Sequence, residues 1–232
     1  MKADNIAPEP FAKFKHGLIV SCLAMTGEPL FGSEYMAAMA SAAYAGGAKA
    51  IRANKPEDIA AIRAQVDLPI IGLYRVRLPG YSVSITPTIA HAEQIAAAGA
   101  DMIEMDASQL PHPEGLLVEE LIRQVKKLTQ KPVIADVATS MEGVLAANMG
   151  ADAVMTTLAG YHPDGQTGEP DYALIGSLAK RLHIPLIAYG RINSPDRAKK
   201  ALEMGAFAVV VGSPITRPHL ITERFVKAMK DD

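Results

Sequence analysis

The feature that most constrains this chain is a weak internal repeat. The dipeptide Gly-Ala occurs at Gly47-Ala48, Gly99-Ala100, Gly150-Ala151 and Gly205-Ala206. Each pair closes an Ala-rich stretch and opens a short apolar run: "AKAIRA", "ADMIEMD", "ADAVMTT" and "AFAVVVG". Three further runs lie between these, "LPIIGLY" from Leu68, "KPVIADV" from Lys131 and "IPLIAYG" from Ile184. Each carries a proline at its start, where a strand needs no ladder hydrogen bond from it. "GLIVSCL" from Gly17 brings the count to eight. Strands buried on both faces of a parallel sheet read as continuous apolar runs of this kind.

The intervening segments read as helices. Ser33 is expected to cap "EYMAAMASAAYAG", and Pro56 to begin "EDIAAIRAQ". Thr88 precedes "IAHAEQIAAAG", and Thr139 with Glu142 makes a capping box. Ser194-Pro195 supplies a cap and a first-turn proline. Gly150 and Gly205 stop helices cheaply, because glycine tolerates positive φ. Eight strand–helix units in 232 residues predict a single (β/α)8 TIM barrel of the phosphate-binding type. It is expected over 17–232, with 1–16 as an N-terminal extension or lead-in helix. The rival is an open doubly wound sheet, for which no early G-x-G-x-x-G turn is evident.

Composition narrows the function classes. Lys plus Arg is 23 and Asp plus Glu 25, a net charge of −2, which argues against a nucleic-acid partner. The single cysteine, Cys22, excludes an internal disulfide and a cysteine-built metal site, and points to a reducing, cytoplasmic setting. No apolar run approaches the roughly 20 residues of a membrane span, so no membrane partner is expected. The first residues, "MKADNIAPEPFAKFKHG", lack a secretory signal's apolar segment. Aromatic residues are 5% with no Trp, and the abundant small residues suit close packing of helix on strand.

In such barrels chemistry sits at the C-terminal ends of the strands. Those ends carry Ser21, Cys22 and Leu23; Arg52 and Asn54; Tyr74, Arg75 and Arg77; Glu104 and Asp106; Asp136; Thr156 and Thr157; Tyr189; and Gly212 with Ser213. Two corners stand out, "YGRINSP" after the seventh run and "VGSPITRP" after the eighth. Loops at these places commonly hold a phosphate. The backbone N–H groups of Gly190, Arg191, Gly212 and Ser213 are therefore candidate phosphate donors, with Arg191 or Arg217 as the charged partner. Glu104 and Asp106 share one face of a strand, which puts Glu104 deeper. A buried Glu104 needs a partner, and Arg75, one strand away, is expected to provide it. His112 and His162 fall on loops at the same end, and Cys22 reads as a packed strand residue.

These motifs carry a resemblance. "IRAN" (Ile51–Asn54), "ITPT" (Ile85–Thr88), "MDAS" (Met105–Ser108), "ADVAT" (Ala135–Thr139), "TTLAGY" (Thr156–Tyr161) and "VGSPITRP" (Val211–Pro218) together resemble the N-acetylmannosamine-6-phosphate 2-epimerase family, over almost the whole chain. The resemblance implies a cofactor- and metal-free isomerase. It would interconvert N-acetylmannosamine 6-phosphate and N-acetylglucosamine 6-phosphate by removing and returning the C2 proton. Arg52, Asp136 and Arg217 match family positions that hold substrate or support the reaction, and Asp106 sits on a matching strand end. Cys22, Arg52, Asp106 and Arg217 are therefore the expected substrate contacts, and a homodimer is expected for such a barrel, with no sequence stripe that marks its interface. The resemblance also exposes departures. Arg75 falls where the family carries Lys, Tyr189 where it carries Glu, and Leu23 where it carries Gln. Arg does not deprotonate near neutrality. A tyrosine hydroxyl is a far weaker acid than a carboxyl. Arg75, Tyr189, Asp136 and Glu104 are therefore the candidate acid–base set, Glu104 being a possible replacement for the lost carboxylate. An altered substrate or reaction, a phosphosugar-binding sensor without turnover, and an aldolase on the same fold stay open as alternatives.

Overall fold

The computed structural model describes residues 9–159 and 168–230. Eight parallel strands close into one barrel in sequence order: β1 (Leu18–Cys22), β2 (Ala50–Asn54), β3 (Ile70–Leu73), β4 (Met102–Asp106), β5 (Val133–Asp136), β6 (Ala153–Met155), β7 (Leu186–Ala188) and β8 (Ala208–Val211). Around them run α1 (Ser33–Ala45), α2 (Pro56–Arg63), α3 (Ile89–Ala97), α4 (Val118–Thr129), α5 (Ser140–Asn148), α6 (Tyr172–Arg181) and α7 (Pro195–Glu203). A one-turn α8 (Ser213–Thr216) and α9 (Pro218–Ala228) follow β8. All eight predicted strands form, and closure excludes the open doubly wound sheet.

Thr88, Thr139 and Ser194 cap their helices through side-chain oxygens, and Glu142 completes the capping box. Ser33 does not cap α1. Gly32 holds that position, while the Ser33 hydroxyl donates to Asp58 Oδ1 at 2.7 Å and ties α1 to α2. The small residues act as the composition suggests. A Cβ placed on Gly72 of β3 would lie 2.6 Å from the Ala100 Cβ, so the sheet accepts its outer layer only because that side chain is missing.

The repeat has a physical counterpart below the barrel. Asp101, after the second Gly-Ala, accepts the Ile70 amide at 2.8 Å and is paired with Arg63 of α2. Asp152, after the third, accepts the Val133 amide at 2.9 Å and the Lys126 ammonium of α4 at 2.9 Å. The same carboxylate device thus joins the end of one helix to the starts of strands in two places.

The lead-in segment closes the barrel's N-terminal end. A 3-10 turn over Phe11–Phe14 buries both phenylalanine rings completely against the inward side chains, and Phe14 packs edge-on to Phe207. Toward the C-terminal end of the described residues, α9 buries none of its side chains, leaving Phe225 68% exposed, and Met229 just after it is 81% exposed. Among the described residues, no helix is long and apolar enough to cross a membrane. Truncating a fully buried Phe costs about 3–5 kcal/mol. Phe14→Ala is therefore expected to lower the unfolding free energy by about that much in urea titrations, although it lies far from the strand ends.

Candidate active site

Inward side chains of a closed eight-stranded barrel stack in layers of four, each from alternate strands. Followed across the strand registers, the layers here change character sharply. Ala50, Met102, Ala153 and Ala208 form the lowest, and Ile19, Ile71, Ile134 and Ile187 the next. Then come Arg52, Glu104, Met155 and Val210 from the even strands. Ser21, Leu73, Asp136 and Tyr189 follow from the odd strands. Two apolar layers thus support two polar ones.

The Arg52 and Glu104 side chains are 4% and 0% exposed and form a bidentate pair, Nε to Oε2 at 2.6 Å and Nη2 to Oε1 at 2.5 Å. Arg52 Nη1 also donates to Ser21 Oγ at 3.1 Å, and its Cζ lies 4.9 Å from the centre of the Tyr189 ring. Burial opposes the guanidinium charge. The Glu104 carboxylate outweighs it, with help from Tyr189 and Asp136, and holds Arg52 above its ordinary pKa. Glu104 therefore pairs with Arg52 and not with Arg75. Arg52 and Glu104 sit in one even-strand layer, whereas Arg75 follows an odd strand at the rim, exposed, with its amide donating to Asn54 Oδ1 at 2.8 Å.

Asp136 is wholly buried. Its pKa is raised well above the usual carboxyl range, first by burial and then by the Glu104 carboxylate, against opposing contributions from Arg52 and Thr157. Thr157 Oγ1 donates to Asp136 Oδ1 at 2.7 Å, while buried Oδ2 has no hydrogen-bond partner. Protonation would remove the buried charge, and the adjacent Glu104 carboxylate favours that neutral form.

Above this floor opens a cavity of about 800 Å³. Ser21, Arg52, Thr157 and Tyr189 line its base, Asp106 its wall, and Arg75 and Arg77 its rim. Glu104 and Asp136, expected as catalytic groups, do not line the cavity; they are bonded to Arg52 and Thr157, which do. Asp106 turns Oδ1 to the amide and hydroxyl of Ser108, at 2.9 and 2.6 Å. Cys22, expected to touch substrate, points away. Ser21 and Leu23 face inward, so Cys22 faces the helices, where burial pushes its thiol up to about 12. Of the four backbone groups singled out for phosphate, Gly212 and Ser213 line the cavity. Gly190 and Arg191 make a left-handed turn (φ 106° and 55°) outside that lining. Arg217 lines the cavity and is paired with Glu28 at 3.2 Å. Gly212 leaves room for the phenol, since a Cβ there would lie 3.2 Å from Tyr189 Oη. Thr216 Oγ1, donating to the Ser21 carbonyl at 3.1 Å, ties α8 to β1. Sequence reasoning passed over Thr216, because a threonine in a one-turn helix carries no signal of its own. His112 is buried against the Ser108 carbonyl and does not line the cavity, and His162 lies outside the described residues. Among the described residues, no group of three or more His, Cys, Asp or Glu side chains could hold a metal ion.

A closed (β/α)8 barrel with a charged floor at the C-terminal ends of its strands defines the class: a TIM-barrel protein whose site opens at that face. Comparison with known proteins narrows this. The family profile "Putative N-acetylmannosamine-6-phosphate epimerase" matches residues 36–231. A "Putative N-acetylmannosamine-6-phosphate 2-epimerase" of Caldanaerobacter subterraneus subsp. tengcongensis is 48% identical over 221 residues, 94% of this chain and 93% of that one. The protein of the same name from Cutibacterium acnes is 42% identical over 222 residues, 94% and 96% of the two chains. The solved N-acetylmannosamine-6-phosphate 2-epimerase of Clostridium perfringens superposes with a TM-score of 0.90 at 40% identity, covering 94% of this chain and 95% of that one. A thiamine phosphate pyrophosphorylase from Pyrococcus furiosus, at 18% identity and a TM-score of 0.60 over 93% of this chain and 96% of that one, shares the fold alone. The chain belongs to the N-acetylmannosamine-6-phosphate 2-epimerase family.

The raised pKa of Asp136 has a sign that can be tested. The folded chain keeps this proton at pH values where the unfolded chain has lost it. Stability from this group is therefore full below about pH 4, the unfolded value, and is lost as pH rises through the folded one. Burial gives Asp58 the same direction. Asp136→Asn copies the neutral acid and should flatten, without abolishing, the fall in urea midpoint as pH rises from about 4. An unchanged slope would mean that Asp136 is ionised in the fold.

Proposed function

We propose that this protein epimerises N-acetylmannosamine 6-phosphate and N-acetylglucosamine 6-phosphate at C2, as the names of its relatives describe. The observation that carries this reading is the Arg52 guanidinium. It stands at the cavity floor, fixed by a bidentate pair with Glu104 in the same layer and by contacts to Ser21 and Tyr189. In the open-chain sugar the C2 proton is acidified by the neighbouring aldehyde. When a base takes that proton, the C–H electron pair moves into the C1–C2 bond and the carbonyl pair onto O1. A held cation at O1 stabilises this enolate without reorganising. A proton returned to the opposite face of C2 completes the inversion.

Inversion needs proton carriers on two sides of the substrate. Asp106 at the end of β4 and Tyr189 after β7 both line the cavity, three strands apart around the ring. We assign them as the acid–base pair, Asp106 as carboxylate and Tyr189 as phenol, with Arg52 stabilising the phenolate that donation leaves. Glu104 and Asp136 become positioning residues, acting through Arg52 and Thr157. The phosphate lies at Gly212, Ser213 and Arg217, where it competes with Glu28 for the guanidinium.

The test is proton NMR of N-acetylmannosamine 6-phosphate in D2O. Loss of the C2 proton signal with appearance of the glucosamine isomer is expected. Asp106→Asn and Tyr189→Phe should each slow exchange at least 100-fold, the lower bound for a general acid or base. Binding without exchange in the unaltered protein would make it a sensor. Arg217→Ala should weaken phosphosugar binding roughly 10- to 100-fold, as loss of a hydrogen-bonded charge does, measured by calorimetry.

A homodimer is part of the proposal. The exposed apolar side chains of α9 supply a face for a second copy. Phe225→Glu should convert a dimer to a monomer in light scattering.

A further inference from the structure

Leu23, Leu73 and Ile85 form an apolar cluster of their own, distinct from the isoleucine layer below and from the helix-facing core. Leu158, just beyond β6, packs against it. On an eight-membered ring β6 stands opposite β2, while Leu23 and Leu73 come from β1 and β3 beside β2. Leu158 thus meets them from the far side of the barrel mouth. Leu23, Ile85 and Leu158 line the cavity directly above its polar floor.

This wall is built in advance. Thr86 accepts the Tyr74 amide at 3.0 Å through its hydroxyl, which donates to the Glu104 carbonyl at 2.6 Å. The Asp106 amide donates to the Ile85 carbonyl at 2.9 Å, and Ile85 forms a bridge with Arg75. The loop carrying Ile85 is therefore stitched to β3 and β4.

A sugar hydroxyl pressed on such a wall loses water without gaining a partner, which costs about 1–3 kcal/mol. A hydrocarbon group gains there. An N-acyl hexosamine phosphate has one such group, the acyl tail. The cavity, at about 800 Å³, lies toward the upper end of the range for small-molecule sites. The phosphate corner and the floor already account for the two charged or reacting ends. We infer that Leu23, with Ile85 and Leu158, is a specificity-determining contact that receives the acyl tail, and that this site prefers acyl groups longer than acetyl.

The inference rests on the proposed epimerase reading for its substrate class, and its test separates the two. Dissociation constants and solvent-deuterium exchange are measured for the N-acetyl, N-propanoyl, N-butanoyl and N-glycolyl mannosamine 6-phosphates. Each added methylene should tighten binding about fourfold, the equivalent of about 0.8 kcal/mol. The glycolyl compound, close in size to the propanoyl but ending in a hydroxyl, should bind more weakly than the propanoyl. Leu23→Gln should cancel the propanoyl advantage over acetyl and bring the glycolyl compound level with the propanoyl, read as ratios of dissociation constants within the variant. If the unaltered protein binds acetyl as tightly as propanoyl and butanoyl, or if Leu23→Gln leaves the ratios unchanged, the inference is overturned. A chain-length trend in affinity without exchange supports it while the epimerase reading fails. Binding to none of the four overturns both.

Discussion

The polar half of this barrel depends on one ion pair. Glu104 has no exposed surface, and its carboxylate would be intolerable there without the two hydrogen bonds from Arg52. Removing either member of such a pair leaves an uncompensated buried charge, at a cost of about 3–5 kcal/mol. The pair does more than satisfy itself. It sets the guanidinium plane, so that the remaining nitrogen meets Ser21 and the ring of Tyr189 lies alongside. Its negative member stands beside Asp136, and burial, together with that proximity, raises the pKa of the second carboxyl and favours its neutral form.

That balance explains the division of labour in depth. The floor carries no net charge once Asp136 holds its proton, so it attracts no anion by itself. The cations with access to solvent stand higher, at Arg75, Arg77 and Arg217. On the proposed reading, a phosphorylated ligand is drawn to the rim and the β8 corner, and its uncharged, reacting end meets the guanidinium. The field at the floor is then spent on charge that develops during reaction.

Much of this architecture was legible in the residue order. Continuous apolar runs announced buried parallel strands, and Thr88, Thr139–Glu142 and Ser194–Pro195 announced helix starts correctly. Parity was not legible. A run such as "LIVSC" is apolar on both faces, so nothing local says whether Ser21 or Cys22 points inward, and Cys22, expected to touch substrate, is the one that faces the helices. The partner of Glu104 was hidden for a different reason. Adjacent strands are near in sequence order, but side chains inside a closed barrel meet in layers from alternate strands. That geometry pairs β4 with β2 and sends Arg75 to the rim. Ser33 failed as a cap because Gly32 took the position and freed its hydroxyl for Asp58.

The departures from the family pattern also read differently once placed. Tyr189 stands where the resemblance to the family leads one to expect a carboxylate, and a carboxylate there would lie in the same layer as Asp136. Three acidic groups around one guanidinium would repel one another in a low-dielectric interior. With Glu104 already paired to the guanidinium, a neutral phenol adds no further charge beside it. It keeps an O–H at the cavity wall, and its ring face offers Arg52 an attraction that costs no further desolvated charge. Gly212, just after β8, eases the fit of Tyr189, because a Cβ there would lie 3.2 Å from the hydroxyl. Glu104, Tyr189 and Gly212 thus form one interlocked solution to placing a cation at the base of the cavity. Restoring the usual carboxylate at position 189 alone would disturb all three.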